Sequence, residues 1–131
     1  TNISRDVIED SKNNRFYINE NFEEILSTIK LADTFYENSF YSIKDIPISF
    51  RFSILVARRV YRKIGLKILN KKNLKNYQNS GKIYVSSSEK ILETFLSILD
   101  LIKLTFSYKR DDQIQHDHNL INEEINLNER I

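Results

Sequence analysis

Two aspartates near the start of the chain, Asp6 and Asp10, have a spacing that suits metal binding. They are four residues apart, so on an α-helix both lie on one face, separated by about 6 Å along the axis. Two carboxylates this close repel each other, and a divalent cation between them relieves the repulsion. Hard oxygen ligands of this kind suit Mg²⁺, which keeps several waters and bridges to substrate phosphates.

Other side chains near this pair extend the same chemistry. Asn2 lies one turn earlier on the same helix face and adds an amide oxygen. Arg5 and Arg15 carry fork-shaped donors suited to the oxygens of a diphosphate. The segment predicts a Mg²⁺–diphosphate site on a helix wall. The bare spacing is also typical of a solvated helix face, on which Arg5 and Lys12 pair with the acids.

Composition excludes several other kinds of site. The 131 residues include no Cys, 2 His and 2 Gly, which argues against thiolate chemistry, a His-based triad and Gly-rich phosphate loops. The net charge is only +2, so there is no electrostatic case for nucleic acid as a partner. Because no stretch of 18 apolar residues occurs, we expect no membrane span and a cytoplasmic location.

Apolar periodicity predicts an all-α protein. We expect four helices, joined in part by a polar connection over 71–85. The predicted helices cover 1–13, 20–43, 48–70 and 86–106. Stripes at three- and four-residue spacing are expected to face the core. In the last helix this stripe comprises Ile91, Phe95, Ile98, Ile102 and Phe106. A polar tail follows, over 108–131.

Three segments, in order, resemble the squalene and phytoene synthases, which join prenyl diphosphates head-to-head. Residues 1–17 are similar to the second aspartate-rich motif of that family, T-N-I-x-R-D-V-x-E-D followed by R-x-Y. Residues 46–65 are similar to a later helix of the family, and residues 85–91 to the start of another. Together the three matches cover residues 1 to about 100, and the bacterial phytoene synthases are the most similar members.

The resemblance implies the C-terminal part, over 1–107, of an all-α isoprenoid synthase fold. It implies Mg²⁺ as cofactor and prenyl diphosphates as substrates, with two geranylgeranyl diphosphates condensed to phytoene through a cyclopropyl intermediate as diphosphate is lost. The implied metal ligands are Asn2, Asp6 and Asp10. The implied catalytic residues are Asp6, Asp10, Tyr17 and Tyr61, and those on the substrate diphosphate are Arg5, Arg15 and Lys82.

Two alternatives remain open: a squalene or dehydrosqualene synthase that uses farnesyl diphosphate, and a non-catalytic helical interaction module. On its stripe position alone, Tyr61 is also typical of a buried core tyrosine. The chain lacks the first aspartate-rich motif of the family and the proline that follows Tyr17. We therefore expect it to be inactive alone, with the N-terminal part of its own domain as partner. Peripheral membrane association, for release of an apolar product, is a further expectation.

Overall fold

The computed structural model describes residues 1–107, and every regular element in that range is a helix. The prediction of an all-α fold is confirmed, and the arrangement is consistent with the all-α isoprenoid synthase fold. The elements are α1 (Asn2–Lys12), α2 (Phe22–Asn38), a 3₁₀ helix (Tyr41–Asp45), α3 (Ile48–Leu69), α4 (Leu74–Asn79) and α5 (Ser87–Phe106). The predicted tail and both histidines lie outside the described residues.

Side-chain caps fix where several helices begin. The Asn21 side chain accepts hydrogen bonds from the backbone N–H groups of Glu23 and Glu24, at 2.9 and 3.4 Å, and so starts α2. At α5 the Ser86 hydroxyl and the Glu89 carboxylate each bond the other residue's backbone N–H, which forms the capping box that this spacing predicts.

The helices differ from the prediction in two places. The second helix was expected to run to residue 43, but α2 ends at Asn38 and a separate 3₁₀ helix follows. The polar connection contains a short helix, α4, which the apolar pattern did not indicate. Asn73 caps it by accepting a hydrogen bond from the Asn76 N–H at 2.9 Å, and Tyr77 anchors it in the core.

The buried residues form two clusters. The larger lies beneath α1, between α2, α3 and the segment that follows α3; its members are Val7, Ile25, Ile29, Ile64, Ile68, Tyr77, Ile83 and Val85. The smaller one joins the 3₁₀ helix to α3 and α5 through Phe40, Ile43, Leu55 and Leu104. The larger cluster therefore supports the helix that carries the acidic motif.

The predicted apolar stripe of α5 does not face the core of the described chain. Its members, which we call the α5 apolar face, are 44–85% exposed; they are Ile91, Phe95, Ile98, Ile102 and Phe106. The helix instead buries Glu93, Ser97 and Leu104. This orientation places Glu93 and Asp100 against basic side chains of α3, so ion pairs and one buried leucine, rather than the apolar stripe, make the contact.

No helix in residues 1–107 is long and apolar enough to cross a membrane.

Gly65 marks a close approach between α2 and α3. A Cβ built at this buried position lies 3.2 Å from Cγ2 of Ile29, tighter than an ordinary contact. We expect Gly65→Leu to destabilise the protein by about 1–3 kcal/mol, because the added side chain must displace a packed neighbour. Urea unfolding measures the change. Ala57→Leu, at an exposed position of the same helix, is the control, with a change of less than about 0.5 kcal/mol. Equal stability of the two variants would contradict the close contact.

Candidate functional site

Helix α1 holds Arg5 and Asp6 as a bidentate ion pair. The Arg5 guanidinium donates from Nε to Oδ1 of Asp6 at 2.8 Å and from Nη2 to Oδ2 at 2.6 Å. Both side chains are only 19% exposed. These hydrogen bonds hold the pKa of Asp6 below its ordinary value, so its carboxyl group is an anion at neutral pH.

Lys82 reaches the same carboxylate from a distant part of the sequence. Its Nζ lies 2.8 Å from Oε2 of Glu9 and 3.6 Å from Oδ1 of Asp6. Gly81, with φ of +61°, supplies the left-handed turn immediately before it. The hydrogen bond to Glu9 raises the pKa of Lys82, which keeps it cationic. Asp6 thus lies between an arginine and a lysine.

These groups line a small cleft of about 200 Å³, which we call the α1 cleft. Its walls come from α1 and from the segment around α4, and they comprise Arg5, Asp6, Ile8, Glu9, Lys12, Tyr77, Gln78, Gly81 and Lys82. This wall places two cations, Arg5 and Lys82, beside two carboxylates, Asp6 and Glu9, which pair with them.

The second predicted aspartate is paired separately. Nη2 of Arg15 lies 3.2 Å from Oδ1 of Asp10, and the backbone N–H of Arg15 donates to the Asp10 carbonyl at 2.9 Å. Neither residue lines the α1 cleft. Asn2 is exposed, at the start of α1.

The two predicted tyrosines lie in different settings. Tyr17, in the segment after α1, is 62% exposed and does not line the cleft. Tyr61, on α3, is 38% exposed, so its interpretation as a buried core tyrosine is wrong. The pKa of the Arg5 guanidinium is raised mainly by its hydrogen bonds to Asp6, with a smaller electrostatic contribution from Tyr61. The structure therefore brings Arg5, Asp6 and Lys82 together, and neither predicted tyrosine lines the α1 cleft.

The oxygen donors of α1 are of the chemical kind that Mg²⁺ binds, and in this structure each of the two aspartates is paired with an arginine. Asp6 and Asp10 supply hard carboxylate oxygens, and this ion takes its other ligands from waters and phosphates. Within residues 1–107, no group of three or more His, Asp or Glu side chains is placed to hold a metal ion. The remaining ligands would have to come from water, from substrate phosphate or from other carboxylates.

Tyr77 is a residue of this site that the sequence analysis missed. Its buried hydroxyl donates to the carbonyl oxygen of Ser4 at 2.7 Å and lies 3.1 Å from that of Arg5. It therefore fastens α4 to the turn of α1 that carries Arg5 and Asp6. The only signal in the sequence was an aromatic residue within a polar connection.

Burial, followed by the nearby charge of Asp6, raises the pKa of Tyr77 from 10.0 to about 12. The folded state keeps this phenol protonated where the unfolded chain ionises it. Its contribution to stability is therefore complete below pH 10 and is lost as the pH rises towards 12. We expect Tyr77→Phe to cost about 1 kcal/mol at pH 8 and to remove this alkaline loss.

Urea unfolding at pH 8 and pH 11 measures both effects of the Tyr77 substitution. Tyr84→Phe, at an exposed position, is the matched control and should keep the wild-type pH dependence. An unchanged alkaline slope in Tyr77→Phe would show that another group titrates.

Two basic residues of α3 form ion pairs with acidic side chains of neighbouring helices rather than facing solvent alone. Arg59 forms a bidentate pair with Asp100, at 2.6 and 2.9 Å, and also contacts Glu93 at 3.3 Å. Arg62 pairs in the same way with Asp33 of α2. These are contacts between helices, and they join α3 to α5 and to α2.

The fold and the α1 cleft together define an all-helical protein with a carboxylate held between an arginine and a lysine on one helix wall. Among curated proteins, the chain is similar to the 15-cis-phytoene synthase of a Paracoccus species. The two are 31% identical over 86 residues, which cover 52% of this chain and 28% of the relative. The chain thus spans about a quarter of the length of this relative. No protein-family model matches the chain, and no solved structure matches it significantly.

Proposed function

We propose that this chain is part of a prenyltransferase of the squalene and phytoene synthase family, which joins two prenyl diphosphates head-to-head with loss of diphosphate. One observation carries the proposal. Asp6 is held between Arg5 and Lys82 on a helix whose sequence resembles the second aspartate-rich motif of that family. The partial similarity to a 15-cis-phytoene synthase supports the same assignment.

In this proposal, side chains of α1 and of the segments beside it bind different parts of a Mg²⁺–diphosphate group. Asp6 and Asp10 are the ligands that would hold Mg²⁺, helped by Asn2. When bound, the ion neutralises charge on the departing diphosphate. Arg5, Lys82 and Arg15 donate to diphosphate oxygens, and the guanidinium forks fit those oxygens in pairs. Their positive charge is in place before the reaction, so it favours the separation of the leaving group.

Tyr61 is proposed to act beside Arg5, and Tyr17 at the exposed edge of the same region. The phenol of Tyr61 is positioned by α3, whose apolar residues pack against α2 in the core. A hydroxyl near the guanidinium can donate to a diphosphate oxygen without adding charge. We propose the same role for Tyr17, whose exposed ring is free to approach a bound substrate.

We propose geranylgeranyl diphosphate as the substrate and phytoene as the product. Support comes from the similarity to the 15-cis-phytoene synthase of the Paracoccus species. The other carboxylates of the metal site are proposed to lie in polypeptide beyond this chain. Two facts support this: residues 1–107 hold no cluster of three metal-binding side chains, and the match covers 28% of the relative.

Product analysis tests this proposal. Two samples are compared: the chain alone, and a longer polypeptide that carries it with an upstream acidic motif. Each is incubated with Mg²⁺ and either geranylgeranyl or farnesyl diphosphate, with and without NADPH. We expect phytoene from the longer polypeptide and geranylgeranyl diphosphate, and no product from the chain alone. Squalene or dehydrosqualene from farnesyl diphosphate would correct the substrate. No hydrocarbon from either polypeptide would support the non-catalytic alternative.

We also propose peripheral membrane association through the α5 apolar face. Its five large side chains lie along one side of a 20-residue helix and are exposed, as is suited to insertion among lipid headgroups. An apolar product such as phytoene would leave most readily into a membrane. Vesicle flotation tests this: Phe95→Ser with Ile102→Ser should abolish co-flotation with phospholipid vesicles. Undiminished co-flotation would exclude this face as the contact.

A further inference from the structure

A second and larger cleft lies between α2, α3 and α5. It has a volume of about 510 Å³, and five basic and three acidic side chains line it. We call it the α3–α5 cleft. Arg58, Arg59, Phe40, Asp100 and Lys103 are among its lining residues. None of its lining residues belongs to the α1 cleft, so it is a separate feature of the molecule.

Most of the positive charge in this cleft is already neutralised. Arg59 is paired with Asp100 and Glu93, and Lys63 lies 3.5 Å from the same Glu93. Arg62 contacts Asp33 at 2.6 Å and Glu37 at 2.9 Å. Both oxygens of Asp100 are engaged by Arg59. These acids therefore do not offer strong repulsion to an incoming anion.

Arg58 is held in place but keeps donors to spare. Its Nε donates to the carbonyl oxygen of Tyr36 at 2.7 Å, and its Cζ lies 5.0 Å from the centre of the Phe40 ring. Within residues 1–107 its two terminal nitrogens have no hydrogen-bond acceptor and no carboxylate partner. Burial is the main cause that lowers the pKa of this guanidinium, which indicates that its charge is partly desolvated and incompletely compensated.

A second cation without an acidic partner in the described part of the chain lies at the same ring. Nζ of Lys103 is 5.4 Å from the centre of Phe40, and the side chain is exposed. Arg58 comes from α3 and Lys103 from α5, and the ring of the buried Phe40 keeps both in one place. Within the described residues the cleft therefore presents a guanidinium and an ammonium group that both have donors free.

We infer that the α3–α5 cleft binds a small oxyanion of the phosphate class through the terminal nitrogens of Arg58 and the ammonium group of Lys103. A guanidinium that is already oriented loses little side-chain freedom on pairing with two oxygens. A doubly charged phosphate group matches two cations, whereas a single carboxylate matches one. The inference is independent of the proposed prenyltransferase activity and uses none of the residues of α1.

An isotope-edited NMR titration tests this site. The intact chain is titrated separately with inorganic phosphate, diphosphate and acetate, without Mg²⁺ and at low ionic strength. We expect phosphate and diphosphate to shift the signals of Phe40, Arg58 and Lys103, and acetate to bind more weakly. Arg58→Gln should weaken phosphate binding about tenfold, the loss expected for a charge-assisted hydrogen bond. Lys103→Gln, at an exposed position, should weaken it about threefold by the same reasoning.

Controls separate this site from the α1 cleft and from general charge effects. Lys90→Gln removes one exposed charge from α5 and should leave phosphate affinity within about twofold, since exposed charges are screened. Arg5→Gln, in the α1 cleft, should leave the Phe40 shifts intact. Shifts confined to α1 and Lys82, or equal affinity in Lys103→Gln and Lys90→Gln, would overturn the inference even if Arg58→Gln failed to fold.

Discussion

Replacing Asp6 or Asp10 with asparagine is expected to lower turnover of the active polypeptide at least about a hundredfold, and to raise the Mg²⁺ concentration needed for half-maximal rate. Asparagine keeps the size of the side chain but removes the charge that binds the cation. Asp6→Asn also leaves Arg5 without the anion that now accepts hydrogen bonds from its Nε and Nη2. Steady-state kinetics across a Mg²⁺ series measures both effects.

A matched control separates catalysis from folding in this experiment. Glu23→Gln, at an exposed position in the first turn of α2, removes one negative charge away from the α1 cleft and should leave turnover unchanged. Circular dichroism should show the same helicity in all three variants. Full activity in Asp6→Asn or Asp10→Asn would remove that residue from the metal role.

Arg59→Gln is expected to destabilise the protein by about 3 kcal/mol, because it leaves two carboxylates that are largely withdrawn from water without their main partner. Glu93 and Asp100 are 9% and 14% exposed, so water compensates them poorly. Lys63 retains a contact with Glu93 at 3.5 Å, which limits the loss. The free energy of unfolding in urea measures the change.

Arg62→Gln is the comparison for this prediction, since it breaks a similar bidentate pair whose acidic partners are more exposed to solvent. Its second partner, Glu37, is 63% exposed, so a loss of about 1 kcal/mol is expected. The double variant Arg59→Gln with Asp100→Asn should recover part of the stability, because one unpaired carboxylate becomes neutral. Equal losses in the two single variants would show that burial does not set the strength of these pairs.

Apolar spacing predicted the helical class and much of the core. In α2 the predicted stripe includes Ile25 and Ile29, both fully buried, and in α3 it includes Ile64 and Ile68. Spacing failed for α5 because it identifies which side of a helix is apolar, not which side has a neighbour. In residues 1–107 the ion pairs from α3, together with Leu104 and not the predicted stripe, lie at that contact.

The candidate site was predictable only where its residues are local or belong to a recognised motif. Arg5 and Asp6 are adjacent in sequence, and the family resemblance implied a role for Lys82. Tyr77 was missed because it lies 73 residues beyond Ser4, the carbonyl of which it binds. The pairs of Arg59 with Glu93 and Asp100 span 34 and 41 residues. No local pattern reports such separations, since they depend on how whole helices pack.

The hydrogen bond from the Tyr77 hydroxyl to the first turn of α1 has a consequence for folding during synthesis. Both this hydroxyl and the ammonium group of Lys82 bind residues made 73 positions earlier. At ordinary elongation rates, those earlier residues leave the ribosome about 4–15 s before their partners. During translation the acidic helix therefore lacks its contacts with Tyr77 and Lys82 until the last third of the described chain emerges.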